Sequence, residues 1–258
     1  MIVKRDFIYT PNGKNRPLHI YLPEDYENTK DQYPVMYYFD GHNLFYDADA
    51  TYGKSWGLKD FLDSWAKDMI VVGIECGHDG EERLSEYLPY PVQSGYFSKF
   101  KGIGDQTLKW MVEELKPFID KEYRTHPFRE CTGIAGSSMG GLMALYGAVH
   151  YNNWFSKAAC VSSAIGFCMP ALMADMNKNY MNPDTRIYLS WGTKEAYGVK
   201  DVWSEDRSSH TYHWNRAVAD KILKSQANVK MESQIGGSHC EADWEKLVPG
   251  FMDFLWME

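Results

Sequence analysis

The fold is decided by one stretch, which reads Cys131-Thr132-Gly133-Ile134-Ala135-Gly136-Ser137-Ser138-Met139-Gly140-Gly141-Leu142-Met143-Ala144-Leu145-Tyr146. The apolar run before Gly136 predicts the end of a buried strand, and the apolar and small residues after Gly140 predict a helix. A Gly-x-Ser-x-Gly pattern between a strand and a helix is typical of a nucleophile elbow, a tight turn that lifts the serine hydroxyl above the sheet edge. The residues two before and two after the serine pass too closely for side chains, so both are glycine. We therefore predict Ser138 as the nucleophile.

A second copy of the same pattern shows how little the pattern means without its context. It spans residues 53–57, around Ser55, and it follows the polar and acidic segment 46–52 rather than an apolar run. Because no strand precedes this second motif, we predict that Ser55 caps a helix over residues 56–67.

Composition limits the classes of protein that the chain can belong to. Its 258 residues are 44% hydrophobic and 24% charged, which fits one globular domain over residues 1–258. A formal net charge of -8 argues against a nucleic-acid partner and against a basic membrane-binding patch. The start of the chain has no apolar signal-like segment, so we expect a cytoplasmic protein. The five cysteines have no C-x-x-C spacing, which predicts neither a zinc site nor a disulfide framework.

The order of apolar runs predicts the α/β class, with a mostly parallel sheet, helices on both faces and an N-terminal antiparallel edge hairpin. Fully apolar runs separated by helical periodicity are the basis of this prediction. The predicted strands cover residues 2–9, 17–22, 34–39, 69–74, 158–162, 186–191 and 229–235, besides the one before the elbow. The predicted helices cover residues 56–67, 104–121, 208–225 and 241–256, besides the one after the elbow, and Pro117 should kink or end the second of them. Segments 75–102 and 163–184 have no clear period, and we predict irregular active-site inserts there.

A serine hydroxyl needs a base beside it and a group that orients the base. In the strand–turn–helix arrangement these partners follow the serine in the order acid, then histidine. His239 lies in a glycine-rich loop after the last predicted strand, and Glu195 lies in the loop after strand 186–191. We predict His239 as the base and Glu195 as the acid. Three other carboxylates of the same loop could replace Glu195, namely Asp201, Glu205 and Asp206.

The oxyanion of the reaction needs two backbone N–H donors. One is predicted at Met139, directly after the nucleophile, and the other at His42, or alternatively Asn43, in the turn after strand 34–39. His210 and His213 are three residues apart on one predicted helix, but no acidic residue or cysteine completes a metal site there. We therefore expect no metal. The remaining histidines that we considered are predicted to be solvated; they are His19, His126 and His150.

The chain resembles the "putative esterase" family of α/β-hydrolases, which includes feruloyl and acetylxylan esterases, enterochelin esterases, S-formylglutathione hydrolase and mycolyl transferases. The resemblance rests on five segments, Phe39–Phe45, Arg83 with Glu86–Pro89, Gly136–Gly141, Gly192–Glu195 and His239–Trp244. It implies the α/β-hydrolase fold, a Ser138–His239–Glu195 triad with a glutamate where many members have aspartate, and an oxyanion donor at His42.

We therefore expect a cofactor-independent serine esterase that forms an acyl-enzyme on a small-molecule or carbohydrate-linked ester. The resemblance suggests feruloyl or acetyl esters of plant polysaccharide as substrates. Trp56, Tyr87 and Trp191 are the predicted substrate-binding aromatics. The alternatives are an acyltransferase, a siderophore or thioester hydrolase of the same fold, and a non-catalytic binding member. The oligomeric state is not readable from the sequence.

Overall fold

The computed structural model of the chain describes residues 1–257. Within them, eight strands form one sheet in the order β1-β2-β4-β3-β5-β6-β7-β8. Their bounds are β1 Ile2–Tyr9, β2 Lys14–Tyr21, β3 Val35–Phe39, β4 Ile70–Ile74, β5 Thr132–Ser137, β6 Lys157–Val161, β7 Arg186–Gly192 and β8 Asn228–Gln234. Strands β1 and β2 form an antiparallel hairpin at one edge, and β2 pairs antiparallel with β4. The other six strands run parallel, so the predicted α/β class and edge hairpin are confirmed.

Helices cover both faces of this sheet. They are α1 Leu58–Ser64, α2 Glu82–Glu86, α3 Gly104–Trp110, α4 Lys116–Glu122, α5 Met139–His150, α6 Met169–Met176, α7 His210–Lys224, α8 Glu241–Trp244 and α9 Val248–Trp256. Consecutive side chains of a strand point to opposite faces, and accordingly Tyr37 and Tyr38 belong to two different apolar cores. Both tyrosines are at most 1% exposed, as expected for a strand that is covered on both sides.

Two of the predicted helices are irregular next to a proline. The closing helix is interrupted by a 3-10 turn at Glu245–Leu247, because Pro249 has no N–H to continue the hydrogen-bond ladder and instead lies in the first turn of α9. The helical segment around Pro117 runs to Glu122, close to its predicted end, and the π turn Met111–Leu115 interrupts its α-helical hydrogen bonds just before the proline.

Two further expectations were wrong. Helices α2 and α6 each occupy part of a segment that we predicted to be irregular, 75–102 and 163–184 respectively, and α6 buries Leu172 and Met176. Ser55 does not cap a helix: α1 begins at Leu58 after Gly57, and the Ser55 hydroxyl donates to Asp47 Oδ1 at 2.8 Å instead. Ser55 is only 2% exposed, so it is a buried structural residue.

Candidate active site

The elbow lies between β5 and α5, where Ser138 has φ 58° and ψ −121°. A positive φ is strained for any residue other than glycine and is held there by its surroundings. The Ser138 N–H donates to the carbonyl of Val161 at 3.0 Å, and its carbonyl accepts from the N–H of Leu142 at 3.1 Å. A side chain at Gly136 would lie only 2.6 Å from the backbone of Gly140, which is the close approach expected of this turn.

His239 and Glu195 meet at the carboxyl ends of β8 and β7. His239 Nδ1 hydrogen-bonds to Glu195 Oε2. The other carboxylate oxygen of Glu195 accepts from the N–H of Gly192 at 2.7 Å and from the hydroxyl of Ser162 at 2.5 Å. The Ser162 oxygen in turn accepts from the indole N–H of Trp244 at 2.9 Å. Glu195 is thus fixed on both oxygens, with a side chain that is 14% exposed.

The three alternative carboxylates of that loop are engaged elsewhere. Asp201 accepts from the N–H of Trp203, Asp206 from the hydroxyl of Ser208, and Glu205 pairs with Arg207. Of the four candidate acids, the structure therefore brings only Glu195 into contact with His239.

Ser138 and His239 line the same cavity, which has a volume of about 490 Å³ and also holds Arg83 and Glu241 on its wall. Among the described residues, no hydrogen bond joins Ser138 to His239; catalytic hydrogen bonds are often long before substrate is bound. Burial raises the pKa of Glu241, with a further contribution from the negative charge of Asp40. The cavity is therefore polar and contains groups of both charges.

The two predicted oxyanion donors lie at this cavity or next to it. Met139 is the first residue of α5, where N–H groups have no acceptor within the helix. His42 belongs to a short 3-10 turn, Gly41–Asn43, after β3. Neither the Met139 amide nor the His42 amide donates to a backbone carbonyl of residues 1–257. Burial lowers the pKa of the His42 imidazole below its ordinary value, so the ring is neutral at pH 7.

An ion pair that our sequence reasoning missed supports this turn. Asp40 has φ 59° and is 6% exposed, and Arg83 donates to both of its carboxylate oxygens, at 2.7 and 2.8 Å. Burial alone would raise the pKa of Asp40, but Arg83 outweighs burial and holds it below its ordinary value. Tyr87 underlies the pair, with the Arg83 guanidinium 5.1 Å from its ring centroid. Both residues lie in segments that carry the family resemblance, but nothing in their spacing along the chain indicates that they pair.

Arg83→Gln should lower the free energy of unfolding by about 3 kcal/mol, because it leaves the Asp40 carboxylate buried without its counter-charge. Urea denaturation at pH 7 measures this. Since the folded-state pKa of Asp40 is depressed, its stabilisation is present above about pH 4 and is lost as the pH falls further. The difference between wild type and Arg83→Gln should therefore shrink in acid. Arg207→Gln, at an exposed pair, is the control and should change stability by less than about 1 kcal/mol; equal effects of the two would contradict the prediction.

The predicted substrate-binding aromatics occupy three different environments. Trp56 is 3% exposed and packs on Trp244 at 5.6 Å between ring centroids, and Tyr87 is 2% exposed beneath Arg83. Trp191, by contrast, lines an apolar cavity of about 600 Å³ that also has Glu195 and His239 on its wall. The side chain of His239, 44% exposed, therefore stands between the polar and the apolar cavity.

His19 differs from its prediction, because it is 3% exposed rather than solvated. Its Nε2 hydrogen-bonds to Glu75 Oε1 at 2.6 Å, and His78 Nε2 hydrogen-bonds to the other oxygen of Glu75 at 2.8 Å. Burial alone would raise the pKa of Glu75, but these two hydrogen bonds lower it to about 2.

All five cysteines are free thiols. No helix within residues 1–257 has the length and apolar character needed to span a bilayer.

Comparison with known proteins finds a matching family, similar sequences and similar solved structures. The model of the family described as "Putative esterase" matches residues 11–254. The uncharacterized protein YbbA of Bacillus subtilis is 26% identical over 185 residues, which are 70% of each chain. An IroE-like serine hydrolase from Shewanella oneidensis shares the fold with a TM-score of 0.72 and 20% identity, and the match covers 99% of this chain and 79% of that one. A ferulic acid esterase also shares it, with a TM-score of 0.67 and 16% identity, and the match covers 99% of this chain and 97% of that one.

The family match covers seven of the eight strands and both faces of the sheet, from β2 into α9. The similarity to the solved structures confirms the α/β-hydrolase fold that the sequence predicted. The chain belongs to the "Putative esterase" family, and it is a carboxylic ester hydrolase.

Proposed function

We propose that this ester hydrolase works through a Ser138–His239–Glu195 triad and an acyl-enzyme. The observation that carries the proposal is the hydrogen bond from His239 Nδ1 to Glu195, in a protein whose Ser138 lies on an elbow in the same cavity as His239. With Nδ1 protonated and held by Glu195, the Nε2 lone pair is free to accept the Ser138 proton.

The steps follow from this geometry. Ser138 Oγ bonds to the ester carbonyl carbon while its proton passes to His239, and the amides of Met139 and His42 donate to the oxyanion. The tetrahedral intermediate then expels the alcohol, which takes the proton from His239. A water molecule, deprotonated by the same imidazole, releases the acid and restores Ser138. Partial exposure of His239 gives water access to the acyl-enzyme, which favours hydrolysis over transfer to another alcohol.

We further propose that the apolar cavity receives an aromatic acyl group, of the feruloyl type. Phe97 and Phe167 stack on its wall with ring centroids 4.2 Å apart, and Trp191 and Trp214 also line it. Asn215, 3% exposed, also lines this cavity, and its side-chain oxygen is buried without a hydrogen-bond partner among the described residues. A phenolic hydroxyl could donate to that oxygen. The polar cavity, with Arg83 and Glu241, would then hold the alcohol half, such as a sugar.

A panel of esters tests both parts of the proposal. Methyl ferulate should have a kcat/KM at least about tenfold above that of methyl 3-methoxycinnamate, which differs from it only in lacking the phenolic hydroxyl and so leaves Asn215 unpaired. Methyl ferulate should also exceed p-nitrophenyl esters of short acids. In Asn215→Leu the preference for ferulate over 3-methoxycinnamate should disappear.

Different outcomes of the panel contradict different parts of the proposal. Preference for acetyl esters, including acetylated xylan, would mean that the apolar cavity does not hold the acyl group. A protein that hydrolyses no member of the panel would contradict the proposed mechanism on carboxylic esters of this kind.

A further inference from the structure

Three metal-ligating side chains meet beyond the carboxyl ends of the neighbouring strands β3 and β4. They are His42, Cys76 and His78, and one ligand atom from each lies within 4.8 Å of the other two. The parallel pairing of β3 with β4 sets Phe39 opposite Ile74, so the segments that follow both strands leave the sheet side by side. The sequence could not reveal this cluster, because it depends on which strands are neighbours.

The hydrogen bonds around the cluster leave one ring nitrogen of each histidine available. His42 Nε2 is bonded to the hydroxyl of Thr51 at 2.9 Å, whereas His42 Nδ1 is buried and has no hydrogen-bond partner within the described chain. His42 as a whole is only 7% exposed, and a buried nitrogen without a partner is costly unless something binds it. His78 Nε2 is bonded to Glu75, which leaves its Nδ1.

The pairing of His78 with Glu75 is itself a feature of metal sites. Histidine ligands usually bond their second nitrogen to a carboxylate, which fixes the orientation of the ring and strengthens the other nitrogen as a donor. The His42–Thr51 hydrogen bond can fix the second ring in the same way. The two imidazole rings already lie close, with centroids 4.9 Å apart.

We propose that His42 Nδ1, Cys76 Sγ and His78 Nδ1 form a binding site for a borderline-soft divalent cation of the zinc type. One sulfur and two imidazole nitrogens are donors that zinc prefers, while magnesium and calcium take oxygen ligands. With metal–ligand bonds of about 2.0–2.3 Å, ligand atoms around a tetrahedral ion lie about 3.3–3.8 Å apart. The cluster is thus close enough to contract onto an ion by side-chain rotation. The exposed His78 is the side chain most free to move.

The location of the site gives it a consequence for ester hydrolysis. All three residues line the polar cavity that contains Ser138, so an ion bound there would have its fourth position facing that cavity. Binding exchanges the proton of the Cys76 thiol for the metal and releases that proton to solvent. The ion also draws in the side chain of His42, whose turn provides a proposed oxyanion donor. We expect Zn²⁺ to inhibit hydrolysis reversibly, with activity restored by a chelator.

Cobalt(II) is a suitable spectroscopic probe of this site in the full chain. Titration should show one equivalent bound, with a near-ultraviolet thiolate-to-cobalt band and the intense visible bands of a tetrahedral complex. In Cys76→Ser the thiolate band should vanish, and in His78→Gln the affinity should fall by at least about tenfold. Zn²⁺ should displace the cobalt from wild type. Because His78 is exposed, its variant keeps the test valid if Cys76→Ser does not fold.

Matched controls use the other thiols and histidines of the chain. Cys131→Ser removes a partly exposed thiol, and His213→Gln removes a histidine from the pair on α7; both should bind cobalt as wild type does. A thiolate band that persists in Cys76→Ser, or the absence of stoichiometric binding at millimolar cobalt, would overturn the proposal. Zn²⁺ inhibition of equal strength in wild type and His78→Gln would place the inhibitory ion elsewhere, for example on His239.

Discussion

Ser138→Ala is expected to lower kcat/KM for an activated ester such as p-nitrophenyl acetate by about 10⁶-fold, the size of effect seen when a triad nucleophile is removed. The methyl group cannot form the acyl-enzyme, and water has to attack with only the oxyanion donors and the binding cavities to assist it. Steady-state kinetics measures the loss. Labelling with a fluorophosphonate gives a second readout, because the reagent should phosphonylate Ser138 in wild type and leave Ser138→Ala unmodified.

The chain provides its own matched control for this experiment. Ser55 lies in the second copy of the Gly-x-Ser-x-Gly pattern. It is buried, donates a hydrogen bond to Asp47 and does not line either cavity. Ser55→Ala should therefore keep the rate and the labelling of wild type, at a stability cost of about 1 kcal/mol for the lost hydrogen bond. Loss of labelling in Ser55→Ala with retention in Ser138→Ala would contradict the assignment of the nucleophile.

Glu195→Gln should lower kcat by about 10⁴-fold, or about 5.5 kcal/mol of transition-state stabilisation. The side chain keeps its shape, and its carbonyl oxygen can still accept from the Gly192 N–H and the Ser162 hydroxyl. Its NH₂ group then faces His239 Nδ1 and donates to it. The imidazole is forced into the tautomer with its proton on Nε2, and that nitrogen can no longer accept the Ser138 proton.

Two measurements distinguish a change of the His239 tautomer from misfolding as the cause of the lower kcat. Nitrogen NMR of His239 should show the change of tautomer in Glu195→Gln, while the urea midpoint stays near that of wild type. Glu205→Gln, in the same loop but paired with Arg207, is the control and should keep its rate within about twofold. If Glu195→Gln also kept its rate, the orienting role would move to another group.

The parts of the fold that depend on neighbouring residues in the sequence were predictable from the pattern of apolar residues and the spacing of glycines. Strands β3 and β4 are uninterrupted apolar runs because both of their faces are covered. The elbow is recognisable because its tight turn leaves no room for a side chain at Gly136, against the backbone of Gly140. Helix ends were less predictable. Backbone conformation rather than residue preference set the start of α1, where Gly57 takes a left-handed conformation and leaves Ser55 to a buried hydrogen bond.

The surroundings of the site were harder to predict, because they arise from contacts between distant segments. Arg83 reaches Asp40 across 43 positions, and Trp244 reaches Ser162 across 82. Neither partner has a spacing that indicates the other. Trp56 is a further example, because we predicted it to bind substrate. An aromatic residue beside a glycine-rich turn can equally well pack in the core, and Trp56 does so against Trp244.

The position of His239 between the two cavities has a consequence for how such an enzyme can change over evolutionary time. Phe167 and Trp214 can be exchanged on one side of the imidazole without altering Arg83 and Glu241 on the other. If the two cavities hold the two halves of an ester, as we propose, the preference for each half can then diverge in separate lineages while the reacting groups stay as they are.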